Sequence, residues 1–280
     1  MSNQEQVHEW TEEHVRETLP KRDASSHKGT FGTALLLAGS DDMPGAALLS
    51  GLGAMRSGLG KLVIGTSESV IPLIVPVLPE ATYWRNGWEK AAQSPLEESY
   101  RAAAIGSGLP QTKDVQRAVD HVFAADCPVI LDSGALTKRS YPKRKAPIIV
   151  TPHPGEFSRM TSVSIEDLEK DRAGYAKEWA YQLQTIIVLK GRHTIVAFPD
   201  GECWYNAAGN AALAKGGTGD TLTGMMLGML CCHREAKHAV LNAVYLHGIC
   251  AELWTEEHSP HTLLAHELSA LLPRVWKRFE

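Results

Sequence analysis

The sequence lacks both a disulfide framework and an apolar run long enough to cross a bilayer. Its five cysteines are an odd number without a pairing pattern, and Cys231 and Cys232 are adjacent. Free thiols of this kind fit a reducing compartment. Residues 1–16 are polar and acidic, which is unlike a secretory signal peptide. We therefore expect a cytoplasmic protein with no membrane partner.

An excess of positive charge and the two commonest phosphate-binding motifs are also missing. The formal net charge is −4 at pH 7, so no nucleic acid is expected as a partner. The sequence contains no Walker loop, and no Gly-x-Gly-x-x-Gly opens a helix after the first strand. Any phosphate site must therefore be built on a different fold.

What the sequence has is a large apolar content, arranged as buried strands that alternate with helices. Hydrophobic residues make up 44% of the chain. Continuous apolar runs such as residues 34–38 are typical of strands buried on both faces of a parallel sheet. We expect a single doubly wound α/β domain over residues 1–280, with residues 1–30 as an N-terminal appendage. Residues 83–98 are expected to form a surface excursion and residues 164–184 one long amphipathic helix.

A glycine-rich stretch at residues 213–224 is the most distinctive local feature. Gly216, Gly217 and Gly219 allow left-handed backbone conformations and lack the Cβ atoms that would keep a ligand away. An apolar segment at residues 222–230 follows with the pattern of a buried helix. A helix start adds free N–H groups and a partial positive charge. The stretch therefore predicts a phosphate cradle.

Asp220 is the residue that a simple phosphate cradle does not explain. A carboxylate at this place adds negative charge beside a negative ligand. Its presence is explained if Asp220 takes the proton from a hydroxyl group that attacks the phosphate. The alternative is that Gly-Thr-Gly-Asp is a plain loop in which Thr218 or Asp220 caps the following helix.

Four more groups follow predicted strands, at the edge where open α/β sheets bind ligands. Gly106-Ser107-Gly108 ends one strand, and Asp132 ends another at the same edge. His153 lies between two prolines that fix the backbone around its imidazole. Lys190 is a cation at a strand end and is suited to a phosphate. For the glycine pair the alternative is a plain turn, and for Lys190 it is an ordinary solvated lysine.

Together these segments resemble the ADP/ATP-dependent NAD(P)H-hydrate dehydratase family of the ribokinase-like superfamily, in particular its bacillus-type form. The resemblance covers nearly the whole chain. It rests on six motifs in order, namely Lys28-Gly29-Thr30-Phe31-Gly32, Pro44-Gly45-Ala46-Ala47, Gly106-Ser107-Gly108, Thr151-Pro152-His153-Pro154-Gly155-Glu156, Lys190-Gly191-Arg192-His193-Thr194 and Gly216-Gly217-Thr218-Gly219-Asp220. It implies a ribokinase-like three-layer α/β/α sandwich with a mostly parallel central sheet.

The same resemblance implies a repair reaction on (6S)-NAD(P)H hydrate, a damaged form of the reduced nicotinamide cofactor. ADP or ATP would phosphorylate the hydroxyl group on C6, and elimination of phosphate would restore the double bond. Asp220 would accept the hydroxyl proton, and the amides of Gly217, Thr218 and Gly219 would stabilise the developing phosphate charge. Mg²⁺ would assist the phosphoryl donor, with Glu156 as its indirect holder.

The family's binding contacts fall on further residues of this sequence. The resemblance places substrate contacts on Ala46, Gly108, His153 and Asp220. It places nucleotide contacts on Lys190, Gly191, Arg192, His193, Thr194 and Gly219. It also implies a homotetramer. Since many relatives carry a fused epimerase domain, it further implies a separate NAD(P)H-hydrate epimerase as functional companion.

Ser107 departs from the family's pattern, which often has proline between the two glycines. Two other functions stay open from the sequence alone. One is a kinase for a small hydroxymethyl compound, such as a thiazole or pyrimidine vitamin precursor, which would release a stable phosphorylated product. The other is a nucleotide sensor without turnover. Substitution of Asp220 distinguishes the sensor from both enzymes, because a sensor does not depend on a base.

Overall fold

The computed structural model describes residues 7–96 and 99–280, and strands and helices alternate through most of this length. The strands are β1 (His8–Glu9), β2 (Thr33–Leu37), β3 (Lys61–Thr66), β4 (Thr82–Arg85), β5 (Ala102–Ile105), β6 (Val129–Leu131), β7 (Ile148–Val150), β8 (Ile186–Leu189), β9 (Thr194–Ala197) and β10 (Cys203–Asn206). The helices are α1 (Glu12–Thr18), α2 (Pro44–Arg56), α3 (Ile71–Ile74), α4 (Gly87–Ala91), α5 (Lys113–Phe123), α6 (Pro154–Thr161), α7 (Ile165–Lys170), α8 (Arg172–Leu183), α9 (Thr218–Cys232), α10 (Ala236–Thr255) and α11 (Ala265–Lys277).

One sheet runs through the middle of the described chain. Its strand order is β1-β10-β9-β8-β7-β6-β5-β2-β3-β4. Strands β2 to β8 pair in parallel, and β9 is antiparallel to both of its neighbours. The carboxyl ends of β5, β6, β7 and β8 therefore meet at one edge of the sheet. The loops that follow these strands can bring side chains from distant parts of the sequence together there.

Helices cover both faces of this sheet. Along β2, Ala34 and Leu36 belong to an apolar cluster with residues of α9, α10 and α11, while Leu35 and Leu37 belong to a second cluster with residues of α5, α6 and α8. The two clusters form because successive side chains of a strand point to opposite faces. The three-layer α/β/α sandwich predicted from the sequence is confirmed. No helix in the described ranges is long and apolar enough to span a bilayer.

Helices α2 and α9 are in direct backbone contact. A Cβ atom on Gly224 would overlap the Ser50 carbonyl oxygen, and one on Gly228 would overlap the Ala54 carbonyl oxygen. Because the residue numbers rise together along the two contacts, the helices run parallel. Their N-terminal ends therefore lie on the same side of the molecule. Since α2 directly follows β2, this side is the edge where the parallel strands end.

The predicted surface excursion over residues 83–98 is wrong for its first part. Strand β4 pairs in parallel with β3, and the short helix α4 follows. As the last strand of the sheet, β4 has only half-buried and exposed residues. Its sequence therefore lacks the continuous apolar run by which central parallel strands are recognised. Glu97 and Glu98 lie outside the described residues.

The single helix predicted for residues 164–184 is in fact two helices, α7 and α8, which meet at Asp171. The Asp171 carboxylate accepts a hydrogen bond from the Gly174 N–H group at 2.8 Å. It thus caps α8 instead of continuing α7. Ile165, an apolar residue in the first turn of α7, is 49% exposed. The break places Arg172 at the first position of α8.

The N-terminal segment is more closely integrated than the appendage expected for residues 1–30. Strand β1 extends the sheet alongside β10. Trp10 is buried, and its indole N–H group donates a hydrogen bond to Asn242 Oδ1 on α10 at 3.0 Å. The segment therefore contributes both a strand to the sheet and a side chain to the core.

Candidate active site

The glycine-rich turn leads directly into α9. The helix begins at Thr218, four residues before the Leu222 start predicted from its apolar pattern. The residue before it, Gly217, has a left-handed backbone with φ 90°. A Cβ atom there would lie 2.6 Å from the Leu49 side chain. Only glycine suits this turn, and the early start places Asp220 in the first turn of the helix.

The N–H groups at the start of α9 are available to a ligand. Within residues 7–96 and 99–280, the N–H groups of Gly219 and Asp220 form no hydrogen bond, and that of Thr218 has only a long contact of 3.5 Å with the Lys215 carbonyl oxygen. The Thr218 hydroxyl group bonds back to the carbonyl oxygens of Leu213 and Lys215, both at 2.9 Å. The helix dipole adds partial positive charge at the same place. The arrangement has the properties of an anion site.

Lys190 joins this helix start to the ends of β6 and β7. Its ammonium group lies 2.9 Å from Asp132 Oδ1 and 3.8 Å from Glu156 Oε2. A Cβ atom on Gly219 would lie 3.4 Å from the Lys190 Nζ atom, so the ammonium group faces the first turn of α9. With 19% of its side chain exposed, Lys190 is not an ordinary solvated lysine.

Asp132 is the buried anchor of this group. Its carboxylate accepts hydrogen bonds from the Thr151 hydroxyl group at 2.8 Å and the Ser107 hydroxyl group at 2.9 Å, in addition to the Lys190 ammonium group. Burial alone would raise the pKa of Asp132, but the Lys190 charge and these hydrogen bonds hold that pKa below its usual value. Asp132 is therefore a fixed negative charge at neutral pH.

Asp220 has the opposite protonation behaviour. Burial, and next the negative charge of Asp132, raise the pKa of Asp220 from 3.8 to about 7, although Lys190 and Ser107 oppose the rise. A carboxylate with a pKa near neutrality can take up a proton from a reacting group under physiological conditions. The surroundings of the two carboxylates therefore keep Asp132 ionised and allow Asp220 to bind a proton near neutral pH.

His153 and Glu156 form the start of α6. His153 Nδ1 accepts hydrogen bonds from the N–H groups of Gly155 at 3.1 Å and Glu156 at 3.4 Å, and Glu156 Oε2 accepts one from the His153 N–H group at 2.9 Å. This reciprocal arrangement is a capping box. It fixes the histidine backbone while leaving 52% of its side chain exposed. The His153 ring can therefore contact a ligand while the capping box keeps its backbone fixed.

Ala46 and Gly108 are in close contact on one side of the site. A Cβ atom on Gly108 would overlap the Ala46 Cβ atom, and Gly108 has a left-handed backbone with φ 67°. The Ser40 hydroxyl group donates a hydrogen bond to the Gly108 carbonyl oxygen at 2.8 Å. Small residues at both positions allow the loop after β5 to approach the start of α2. The two residues form one wall beside the sheet edge.

A cavity of about 650 Å³ has Lys190 and Gly219 in its wall. The residues predicted for the nucleotide lie along it, and Thr194 and Asn206 bring the ends of β9 and β10 to its wall. Glycine and alanine residues of the loop after β10 and apolar residues of α9 and α10 complete the lining, including Ala208, Gly209, Leu222, Val244 and Gly248. The cavity is large enough for a mononucleotide-sized ligand.

Arg172 supports the backbone of the segment 190–192. Its guanidinium group donates hydrogen bonds to the carbonyl oxygens of Arg192 at 2.7 Å, Lys190 at 3.1 Å and Leu189 at 3.3 Å. Gly191 has φ 148°, and a Cβ atom on it would lie 2.6 Å from the Arg172 Nη2 atom. Position 191 must therefore be glycine to leave room for the Arg172 side chain, and the missing side chain also lets a ligand approach the backbone.

Residues 34–274 match the sequence model of the NAD(P)H-hydrate dehydratase family. The chain belongs to this family. The match spans all the elements that carry the site, from β2 to α11.

Individual dehydratases of the family are similar to the chain over almost its whole length. The ADP-dependent (S)-NAD(P)H-hydrate dehydratase of Bacillus subtilis is 80% identical over 271 residues, covering 97% of this chain and 98% of that protein. A crystal structure of the ADP/ATP-dependent NAD(P)H-hydrate dehydratase from Bacillus subtilis, co-crystallised with ATP and Mg²⁺, has a TM-score of 0.98 at 79% identity and covers 99% of this chain and 100% of that one. A bifunctional NAD(P)H-hydrate repair enzyme of Thermofilum pendens is 32% identical, covering 92% of this chain but 52% of that protein.

In this dehydratase the structure brings together two groups of predicted residues. Asp220, Lys190 and Glu156 interact electrostatically at the helix start, while the segment from Gly191 to Thr194 lies along the cavity. Four further residues of the site had no predicted role, namely Asp132, Ser107, Thr151 and Arg172. For Asp132 a signal existed, because it follows a buried strand at the same sheet edge as Gly106. Ser107 and Thr151 lie within two of the six motifs, whereas no local pattern distinguishes Arg172.

Proposed function

We propose that this chain is an ADP- or ATP-dependent (S)-NAD(P)H-hydrate dehydratase, which restores NADH and NADPH from their (6S) hydrates. The observation that carries the proposal is the placement of Asp220. Its carboxylate, with a pKa of about 7, lies in the first turn of α9 beside N–H groups that form no hydrogen bond within the described part of the chain. The 80% identity to the Bacillus subtilis dehydratase supports the same activity.

In the proposed reaction Asp220 accepts the proton of the C6 hydroxyl group as that oxygen attacks the terminal phosphate of the nucleotide, and the bond to the rest of the nucleotide breaks, so that AMP leaves from ADP or ADP from ATP. The pKa of a general base is best placed near the working pH, and that of Asp220 is. The C6–O bond to phosphate then breaks and the C5 proton passes to the departing phosphate or to water, which re-forms the C5–C6 double bond. The second step needs no further nucleotide, so one phosphate is released for each hydrate repaired.

The phosphate group is stabilised by positive groups that are already in place. The N–H groups at the start of α9, from Gly217, Thr218 and Gly219, form the proposed anion hole, and the Lys190 ammonium group faces Gly219. Because Lys190 is held by Asp132 and Glu156, it does not need to reorganise when the phosphate arrives. This preorganisation is the main contribution that a protein makes to phosphoryl transfer.

The two ligands are proposed to bind on opposite sides of Lys190. The nucleotide occupies the 650 Å³ cavity along the segment from Lys190 to Thr194, with Arg192 and His193 in its wall. The hydrated nicotinamide lies against Ala46, Gly108 and His153. Asp220 follows Gly219 of the cavity wall and interacts with Ser107, the neighbour of Gly108, so we propose that the hydroxyl group of one ligand meets the phosphate of the other beside it.

Mg²⁺ fits this site as a companion of the nucleotide phosphates. Within the described ranges no group of three or more His, Cys, Asp or Glu side chains could hold a metal ion alone. Protein-bound Mg²⁺ usually keeps several waters and takes one or two carboxylates together with phosphate oxygens. Glu156 is proposed as an indirect holder, because its Oε2 atom already accepts the His153 N–H group. When bound, the ion would neutralise phosphate charge.

Four further proposals concern the domain organisation, the cellular location, the assembly and the companion enzyme. We propose one catalytic domain over residues 1–280, a cytoplasmic location and a homotetrameric assembly. A separate NAD(P)H-hydrate epimerase is the proposed companion. The bifunctional name of the Thermofilum pendens relative, of which this chain covers 52%, supports a link between two repair activities.

The direct test is to incubate the purified protein with hydrated NADH and Mg²⁺, with ADP, with ATP or with neither, and to follow the return of reduced-nicotinamide absorbance. Recovery that requires a nucleotide is the expected result, and the two nucleotides compared show the preferred donor. A stable phosphorylated product without recovery of NADH would instead identify the kinase for hydroxymethyl compounds, which the family match does not favour. Nucleotide binding with no turnover of either kind would identify a sensor.

A further inference from the structure

His247 is a buried residue that the proposed mechanism does not use. It lies in the middle of α10, has 7% of its surface exposed and lines the cavity next to Lys190 and Thr218. Its Nε2 atom is 3.0 Å from the Thr218 carbonyl oxygen. Buried histidines are usually hydrogen-bonded, but the partner of His247 is the carbonyl oxygen of Thr218, the first residue of α9.

The hydrogen bond fixes the tautomer of the ring. A carbonyl oxygen can only accept, so the proton is on Nε2, and Nδ1 of the neutral ring carries a free lone pair. Burial, opposed by the Thr218 bond, lowers the pKa of His247 to about 4, so the ring is neutral at physiological pH. Nδ1 forms no hydrogen bond with any residue in the described ranges. It is an acceptor at the wall of the nucleotide cavity.

The same hydrogen bond orients an N–H group of the anion hole. The Thr218 carbonyl group and the Gly219 N–H group belong to one planar peptide unit, in which they point in opposite directions. Holding the oxygen towards His247 therefore directs the Gly219 N–H group away from α10. The first turn of α9 also holds this peptide plane, so the His247 bond adds a second contact at a glycine whose backbone no side chain restricts. The Thr218 hydroxyl group is already used by Leu213 and Lys215.

We propose that His247 is a positioning residue with two contacts: Nε2 holds the Thr218–Gly219 peptide in the orientation that phosphate binding requires, and Nδ1 accepts a hydrogen bond from a hydroxyl or amino group of the nucleotide. The proposal rests on the function proposed above. It goes beyond that function because it connects occupancy of the nucleotide cavity to the geometry of the anion hole through one imidazole ring.

Two variants separate the contacts. His247→Gln places an amide N–H group near the position of Nε2 but removes the Nδ1 acceptor, whereas His247→Met fills the volume and removes both. With one hydrogen bond typically contributing about a three- to tenfold effect, we expect the Gln variant to keep kcat within about threefold while the KM for nucleotide rises about three- to tenfold. The Met variant should show the same rise in KM and a fall in kcat of about tenfold or more. His238→Ala, on the same helix, is the matched control.

The measurements are kcat and KM for nucleotide in the NADH-recovery assay, the Kd for ADP by calorimetry without hydrate, and the melting temperature of each variant. If the Gln and Met variants lose kcat equally while melting like the wild type, Nε2 does not position the peptide. An unchanged Kd for ADP in both variants removes the Nδ1 contact. Failure of the wild type to recover NADH would contradict the proposed function, whereas the calorimetric comparison would still decide the Nδ1 contact.

Discussion

Substituting Asp220→Asn should reduce turnover and increase stability in the same protein. Asparagine has nearly the shape of aspartate but cannot serve as a base. Since a positioned general base typically contributes about 10²–10⁴-fold, we expect kcat for nucleotide-dependent dehydration to fall by a factor in this range. ADP should still bind, because the cavity along Lys190 to Thr194 is not altered. A sensor protein would show no such dependence on Asp220.

The stability effect follows from the pKa of Asp220. Burial and Asp132 raise that pKa from 3.8 to about 7, so between these values the folded protein holds a proton that the unfolded chain has released. The stabilisation linked to this proton is fully present below 3.8 and is lost as the pH rises through 7. Above that, the folded protein carries a buried charge that costs about 2–4 kcal/mol. The neutral asparagine avoids this cost.

Urea unfolding followed by tryptophan fluorescence, at pH 8, 7, 6 and 5, measures the effect. The variant should be more stable than the wild type by about 2–4 kcal/mol at pH 8, and its advantage should shrink by up to about 1.4 kcal/mol per pH unit below 7. Asp23→Asn is the control, because hydrogen bonds from Ser25 lower the pKa of that exposed carboxyl group and its replacement should give no gain.

Two results would refute this reasoning. Turnover of the Asp220→Asn variant close to that of the wild type would show that another group takes the hydroxyl proton. A stability difference that does not change between pH 5 and pH 8 would show that Asp220 is not a buried charge in the folded protein. Loss of both activity and stability would point to a structural role of Asp220 at the start of α9.

Three further substitutions test other parts of the site. The pKa of Asp220 sets the acidic limb of the kcat/KM profile near pH 7, and Asp132→Asn should shift this limb to lower pH by about one unit or more. A limb that does not move would show that Asp132 does not raise the pKa of Asp220. Lys190→Met should raise the KM for nucleotide about tenfold to a hundredfold, with exposed Lys113→Met as the unaffected control; equal KM values would remove Lys190 from phosphate binding. Gly224→Ala should lower stability by about 1–3 kcal/mol, because its Cβ atom would overlap the Ser50 carbonyl oxygen. Gly45→Ala is the control, since a Cβ atom on Gly45 would meet nothing within 4 Å. Equal melting temperatures of the two variants would contradict the backbone contact of α2 and α9.

The central layers of this fold could be predicted from the sequence because each is encoded locally. Continuous apolar runs predicted buried parallel strands, and the family motifs predicted the three-layer sandwich that the structure confirms. The predicted secondary structure was wrong where the local sequence pattern disagrees with the position of the segment in the fold. Strand β4 has the composition of a surface loop because it lies at the sheet edge, and Asp171 ends a helix whose apolar spacing continues past it.

The contacts of the site are less accessible to sequence reasoning because they join distant positions. The ion pair of Lys190 and Asp132 spans 58 positions, and its two partners follow different strands. From sequence, Lys190 could equally have been a solvated lysine. What decides its role is the sheet order, in which β6, β7 and β8 are neighbours and end at one edge. Arg172 has its supporting role only because Asp171 starts a new helix there.

Burial and the charge of Asp132 raise the pKa of Asp220, and the Lys190 ammonium group opposes this rise. Asp132, Glu156 and Asp220 all act on the Lys190 ammonium group, and the two fully buried ones stand closest to it. Phosphates that bind beside Gly219 share the charge of this ammonium group, which leaves less of it to stabilise the ionised form of Asp220. The proton affinity of Asp220 therefore rises when the phosphoryl donor is present. The carboxylate that a simple phosphate cradle could not explain becomes a stronger base at the moment when the attacking hydroxyl group must lose its proton.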